Sequence, residues 1–208
     1  LKRGTLVTFE GNDGSGKSTQ IRLLHDALER AGKKVFLTRE PGGTRIGDAL
    51  RVVLLDNRHE GMTRECEVLL YMASRAQLVD EVIAGKLKEG VVVLCDRWLD
   101  ATVAYQGYGA GADVKWIKEL GRRATRGVVP KLTLFFDLPL EMGLRRAKSH
   151  RAADRIERKD LAFHQRVRRG FLRILKDEAR RVKSVPVRPD ETPEEIHEKV
   201  MRLVEHVL

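Results

Sequence analysis

Short apolar or β-branched runs recur at residues 5–10, 34–38, 91–96, 131–137 and 184–188, and each predicts a strand. Between them apolar residues return at helical spacing, predicting helices over 17–31, 45–55, 64–89, 113–124, 140–148, 156–183 and 193–207. Strand and helix alternate, so the pattern is a series of βαβ units. Val91-Val92-Val93-Leu94 carries no polar face, which is the mark of a strand buried on both sides. The expectation is an α/β protein with a parallel sheet flanked by helices on both faces. In such sheets ligands gather at the carboxyl ends of the strands. Here those ends read Glu10-Gly11, Thr38-Arg39-Glu40-Pro41, Cys95-Asp96-Arg97 and Phe136-Asp137-Leu138-Pro139. The polar gaps near 56–63 and 149–155 are the expected mobile segments, the second of them basic.

The first strand end carries the clearest chemistry. Gly11-Asn12-Asp13-Gly14-Ser15-Gly16-Lys17-Ser18 lies between a strand and a helix, so its glycines can turn backbone N–H groups toward an anion at the helix N-terminus. Lys17 can reach β- and γ-phosphate oxygens, and the Ser18 hydroxyl can ligate Mg²⁺. Gly11, Asn12, Asp13, Gly14, Ser15, Gly16, Lys17, Ser18 and Thr19 are therefore the expected ATP-binding residues, on a P-loop NTPase fold. Asp96, directly after the third strand, is a second candidate for the metal, and Arg97 beside it offers a planar donor fork suited to phosphate.

Composition narrows the setting. A length of 208 residues suits a single domain over 1–208. No apolar run approaches the length of a spanning helix, so no membrane partner is expected. Two cysteines without a CxxC pair or a secretory leader suggest free thiols and a cytoplasmic setting. The net charge is +10, but residues 139–183 alone hold fifteen Lys or Arg against six Asp or Glu. Charge confined to one segment fits a lid over phosphates, and no nucleic-acid partner is expected.

Four motifs in order, Gly-Asn-Asp-Gly-Ser-Gly-Lys-Ser-Thr at 11–19, Thr-Arg-Glu-Pro-Gly-Gly-Thr at 38–44, Asp-Arg-Trp at 96–98 with Ala-Tyr-Gln-Gly at 104–107, and Asp-Arg-Ile-Glu at 154–157, resemble the thymidylate kinase family. The similarity spans nearly the whole chain. It implies a five-stranded parallel sheet with a lid at about 145–157, a homodimer, and transfer of the γ-phosphoryl of ATP to dTMP with Mg²⁺, giving dTDP on the route to dTTP. It further implies that Asp13 faces the sugar 3′-hydroxyl, that Arg39 and Arg97 hold the acceptor phosphate, and that Tyr71, where the family usually shows Phe, stacks on thymine. Arg75 would bond the O4 edge; residues 71 and 75 share a helix face, as that pairing requires. Thr102 and Tyr105 match positions lining base and sugar, Gln106 the pocket edge, and Glu157 a carboxylate near the metal. Trp98 departs from the family's tyrosine.

The P-loop holds no arginine, so the cation for the transferred group is expected from the basic lid, among Arg145, Arg146, Lys148, Arg151 and Arg155, with Arg151 and Arg155 favoured. The catalytic set is then Lys17, Arg97, Asp13, Arg151 and Arg155. Two alternatives stand beside this reading: a P-loop kinase for another nucleoside or monophosphate, and a nucleic-acid-dependent ATPase.

Overall fold

The computed structural model describes residues 4–148 and 153–208. Five parallel strands, β1 (Thr5–Gly11), β2 (Val35–Arg39), β3 (Val92–Asp96), β4 (Leu132–Asp137) and β5 (Val182–Pro186), lie in the order β2-β3-β1-β4-β5. The chain thus leaves central β1 toward one edge, returns to it with β3, then crosses to β4 on its other side. That reversal opens a crevice at the carboxyl end of β1, where the phosphate loop begins.

Alternation along β1 divides the interior. Val7 and Phe9 pack with Ile21, Leu24 and Leu28 of α1 (Lys17–Arg30) and with Ile196, Val200 and Val204 of α9 (Pro193–Glu205). Leu6, Thr8 and Glu10 therefore face the opposite layer, with Leu6 packed beside Leu78, Val93 and Trp98. That layer holds α3 (Arg64–Leu78), α5 (Leu99–Thr102), α6 (Val114–Ala124) and α8 (Leu161–Asp177). α2 (Arg45–Leu55) lies along α3, α4 (Ala84–Lys88) precedes β3, and α7 (Leu140–Lys148) follows β4. Side-chain caps start the helices: Thr44 for α2, Thr63 for α3, Asp113 for α6, Asp160 for α8, and a reciprocal Thr192–Glu195 box for α9.

Several boundaries differ from the sequence expectation. The helix expected over 64–89 is broken by a π turn at Val79–Ile83, which separates α3 from α4. The helix expected from 156 begins at 161, because Asp160 accepts the Phe163 amide at 2.6 Å and fixes the N-terminus there. It ends at Asp177, and β5 begins two residues before the expected strand. Residues 99–109, with no expected element, form α5 and a following π turn. Within the gap at 56–63, Asn57–His59 form a short 3₁₀ turn. The expected Arg151 lies outside the described residues.

Candidate active site

Two adjoining cavities open at the carboxyl end of the sheet. The larger, about 640 Å³, runs over the phosphate loop, and the smaller, about 80 Å³, lies between α2, α3 and α5. Asp13, Glu40, Arg51 and Arg97 line both.

The phosphate loop owes its shape to backbone that other residues resist. Gly11 has φ 139°, and a Cβ there would lie 2.6 Å from the Phe136 carbonyl oxygen; Gly16, at φ 87°, caps α1. Residues 13–19 line the larger cavity, whereas Gly11 and Asn12 lie buried beneath it. Lys17 is buried, its Nζ donating to the carbonyls of Gly11 (3.2 Å) and Asn12 (3.0 Å). Burial, and then the charge of Arg97, hold its pKa below the ordinary lysine range. An arriving phosphate would replace those carbonyls as the ammonium's partner.

Ser18 Oγ donates to Asp96 Oδ2 at 3.4 Å, and Asp96 Oδ1 is buried with no hydrogen-bond partner. A hydroxyl and an unsatisfied carboxylate oxygen beside a triphosphate cradle are hard donors that fit Mg²⁺. Glu157 does not join them. It closes the turn at 154–157, accepting the Asp154 amide at 3.0 Å while its own amide bonds Asp154, and it lines neither cavity.

Arg97 sits at the seam. Its φ of 70° is left-handed, unusual for a side-chain-bearing residue. Nη1 donates to Gly11 O (3.0 Å), Nη2 to Asp13 Oδ1 (2.7 Å), and the guanidinium lies 5.1 Å from the centre of the Tyr105 ring. Arg39 lines the larger of these two cavities and not the smaller, with a largely exposed side chain 3.6 Å from Asp48. Arg51 donates to the Pro41 carbonyl (3.0 Å), and Arg146 of α7 also lines the larger cavity.

The smaller cavity gathers Asp13, Tyr71, Arg75, Arg97, Thr102, Tyr105 and Gln106 along one lining. Burial raises the pKa of both tyrosines above the ordinary phenol range, so they remain neutral donors. Arg75 is 1% exposed. Its Nε and Nη2 donate to Glu40 Oε2 (2.8 and 2.5 Å), Nη2 also to Thr102 Oγ1 (3.0 Å), and Nη1 to the soft Met72 sulfur (3.2 Å). The guanidinium rests 5.7 Å from the Trp98 ring centre, which gives a role to the residue replacing tyrosine.

Arg155 corrects the lid expectation. Its guanidinium is buried, 2.6 Å from Glu67, with Nε donating to Leu54 O (2.9 Å), and it lines neither cavity. It anchors the end of the lid to α2 and α3 and does not face the phosphates. Glu67 also accepts Gln106 Nε2 at 2.6 Å, linking that anchor to the smaller cavity.

Sequence reasoning assigned no role to Glu40, Arg51 or Glu67. Glu40 had one available signal, its place directly after Arg39 at a strand end. Arg51 and Glu67 had none, since each acquires its partner through the packing of α2 and α3.

Comparison with known proteins agrees with this geometry. The family model described as thymidylate kinase matches residues 9–200. A thymidylate kinase of Nitratidesulfovibrio vulgaris is 47% identical over 209 residues, covering 97% of this chain and 96% of the relative. One from Exiguobacterium sp. is 46% identical over 198 residues, covering 95% and 92%. The crystal structure of thymidylate kinase from Ehrlichia chaffeensis superposes with a TM-score of 0.80 at 31% identity, covering 98% of this chain and 99% of that one.

Proposed function

The chain belongs to the thymidylate kinase family and phosphorylates dTMP, and on that premise we propose that its two cavities hold ATP and dTMP end to end. The observation that carries this reading is the shared wall. Asp13, Arg51 and Arg97 border both cavities, so a phosphate held there faces the triphosphate cradle across the seam.

Each side chain then has a task. Glu40, Thr102 and Trp98 fix Arg75, leaving Nη1, partnered only by sulfur, to donate to the pyrimidine 4-carbonyl. A cytosine would present its amino group to the same donor and be refused. Tyr71 stacks on the base, Tyr105 crowds C2′, Gln106 borders the pocket, and Asp13 meets the 3′-hydroxyl. Arg97 and Arg39 hold the acceptor phosphate. Lys17 and the loop amides hold the triphosphate, and transfer proceeds in line with no general base, since the acceptor phosphate is already anionic near neutral pH. Ser18 and Asp96 would hold Mg²⁺, which when bound neutralises charge on the β- and γ-oxygens. Arg146 supplies a lid cation from within the cleft, with Arg151 as a second source.

The whole chain acts as one kinase domain. We read it as a homodimer joined through α2 and α3, where Ile46, Val52, Val53 and Leu69 are exposed, and as a cytoplasmic enzyme, a setting that suits the exposed thiol of Cys66. Coupled ADP release with ATP and a panel of monophosphates tests the substrate assignment. dTMP should be turned over far faster than dCMP; a parent enzyme that prefers dCMP or a purine monophosphate would sink it.

A further inference from the structure

Glu10 is a carboxylic acid in a position that calls for an apolar residue. It is fully buried at the end of β1, on the face opposite Val7 and Phe9, and Oε2 has no hydrogen-bond partner. A methionine or leucine would fill that volume without removing a carboxyl from water. The acid adds a single feature: Oε1 accepts the amides of Trp98 (2.8 Å) and Ala101 (3.2 Å). Trp98 is the N-cap of α5 and makes no side-chain cap bond of its own, so its helix is capped from 88 residues away in sequence.

Those bonds enclose Arg97. The Arg97 amide donates to Phe9 O (3.0 Å) and the Trp98 amide to Glu10, so consecutive residues of the turn are anchored on consecutive residues of β1. A non-glycine residue persists in left-handed backbone only where its surroundings over-determine it. Here the surroundings are the β1 carbonyl on one side and the Glu10 carboxyl on the other.

We propose that Glu10 is a positioning residue for the acceptor phosphate, its Oε1 clamping the amides of Trp98 and Ala101 so that Arg97 is held in left-handed backbone with its guanidinium on the seam. The clamp acts on the acceptor side, because neither bond reaches a loop amide that faces the triphosphate. This rests on the reading of Arg97 as a ligand of the acceptor phosphate.

The test is steady-state kinetics of Glu10→Gln, Glu10→Met and Glu10→Asp, with ATP varied against dTMP and against whichever monophosphate of a panel the parent uses best. The panel keeps the two readings apart: a parent that refuses dTMP counts against the substrate assignment, while the variants still report on the clamp with the preferred acceptor. Glu10→Gln keeps an acceptor oxygen and should hold both KM values within about twofold of the parent. Glu10→Met removes it and should raise the acceptor KM by about tenfold or more with the ATP KM nearly unchanged, because a small misplacement of a phosphate ligand is felt at the reacting atoms. If Glu10→Met does not fold, Glu10→Asp, one methylene short, should show the same split. A folded Met or Asp variant with a parental acceptor KM, or one that raises both KM values equally, overturns the proposal. Failure of Gln to restore the parental values overturns it as well.

Discussion

Arg75 has five N–H donors, and packing assigns all but Nη1 to oxygen acceptors of the protein. Replacing it with alanine would strand the Glu40 carboxyl, whose Oε1 is already without a partner. Arg75→Ala is expected to lower stability by about 3–5 kcal/mol, as breaking a buried ion pair does, and to erase the preference for dTMP over dCMP; urea unfolding and competition kinetics check the two effects. Glu10 carries a different signature. Burial, with Asp100 adding to it, pushes its pKa from 4.5 up to about 8. The folded state therefore keeps a proton that the unfolded chain releases above its own pKa, so Glu10's contribution makes stability fall as pH rises from about 4.5 to about 8 and level off above. In Glu10→Gln that fall should be shallower by a few kcal/mol between pH 5 and pH 8, measured by urea titration at each pH. Placement was legible where residues are close in sequence: Tyr71 and Arg75, one helical turn apart, line one cavity, and the loop residues around Lys17 line the other. Glu40 and Arg75 stand 35 residues apart, and no local pattern announces such a pair.

At the scale of elements, the far end of the lid is held by α2 and α3. Arg155 pairs with Glu67, its amide bonds the Leu55 carbonyl at 3.3 Å, and Asn57 Nδ2 donates to Ala153 O at 3.2 Å. The turn at 154–157 is thereby fastened to the body of the domain. Glu67→Gln leaves the buried guanidinium without a counter-charge, and the expected cost is about 3–5 kcal/mol. Amide exchange should quicken at 153–160 through local opening, beyond the loss of protection that the lower global stability brings to β1 and β4; unchanged exchange at 153–160 would show that the pair anchors nothing. A basic motif in a polar gap reads as a lid, and α2 emerged with its expected ends. The burial of Arg155 was not legible, because an arginine facing phosphate and an arginine facing a buried glutamate look alike in sequence. The π turn between α3 and α4 was equally silent, since widening a helix by one residue leaves its apolar spacing nearly intact.

Across the whole molecule, the five strands and their parallel sense followed from apolar runs alternating with helices, but the reversal at β1 came only from the fold. The positive surplus of 139–183 also changes meaning. Arg155, Arg168 and Arg181 are paired with Glu67, Asp137 and Asp100, so part of the charge ties layers together. Exposed Val52 on α2 and Leu69 on α3 bear on assembly: the parent is expected to sediment as a dimer, and Val52→Asp combined with Leu69→Glu as a monomer, with a monomeric parent at micromolar concentration refuting the assignment. The ring beneath Arg75 has a last consequence. Trp98 is 1% exposed and forms the wall of the smaller cavity, whereas the other tryptophan, Trp116, lies half-buried on α6. With Trp116 changed to phenylalanine, the emission of a single indole would follow the filling of that cavity, giving the enzyme an optical gauge of its own occupancy with no dye attached.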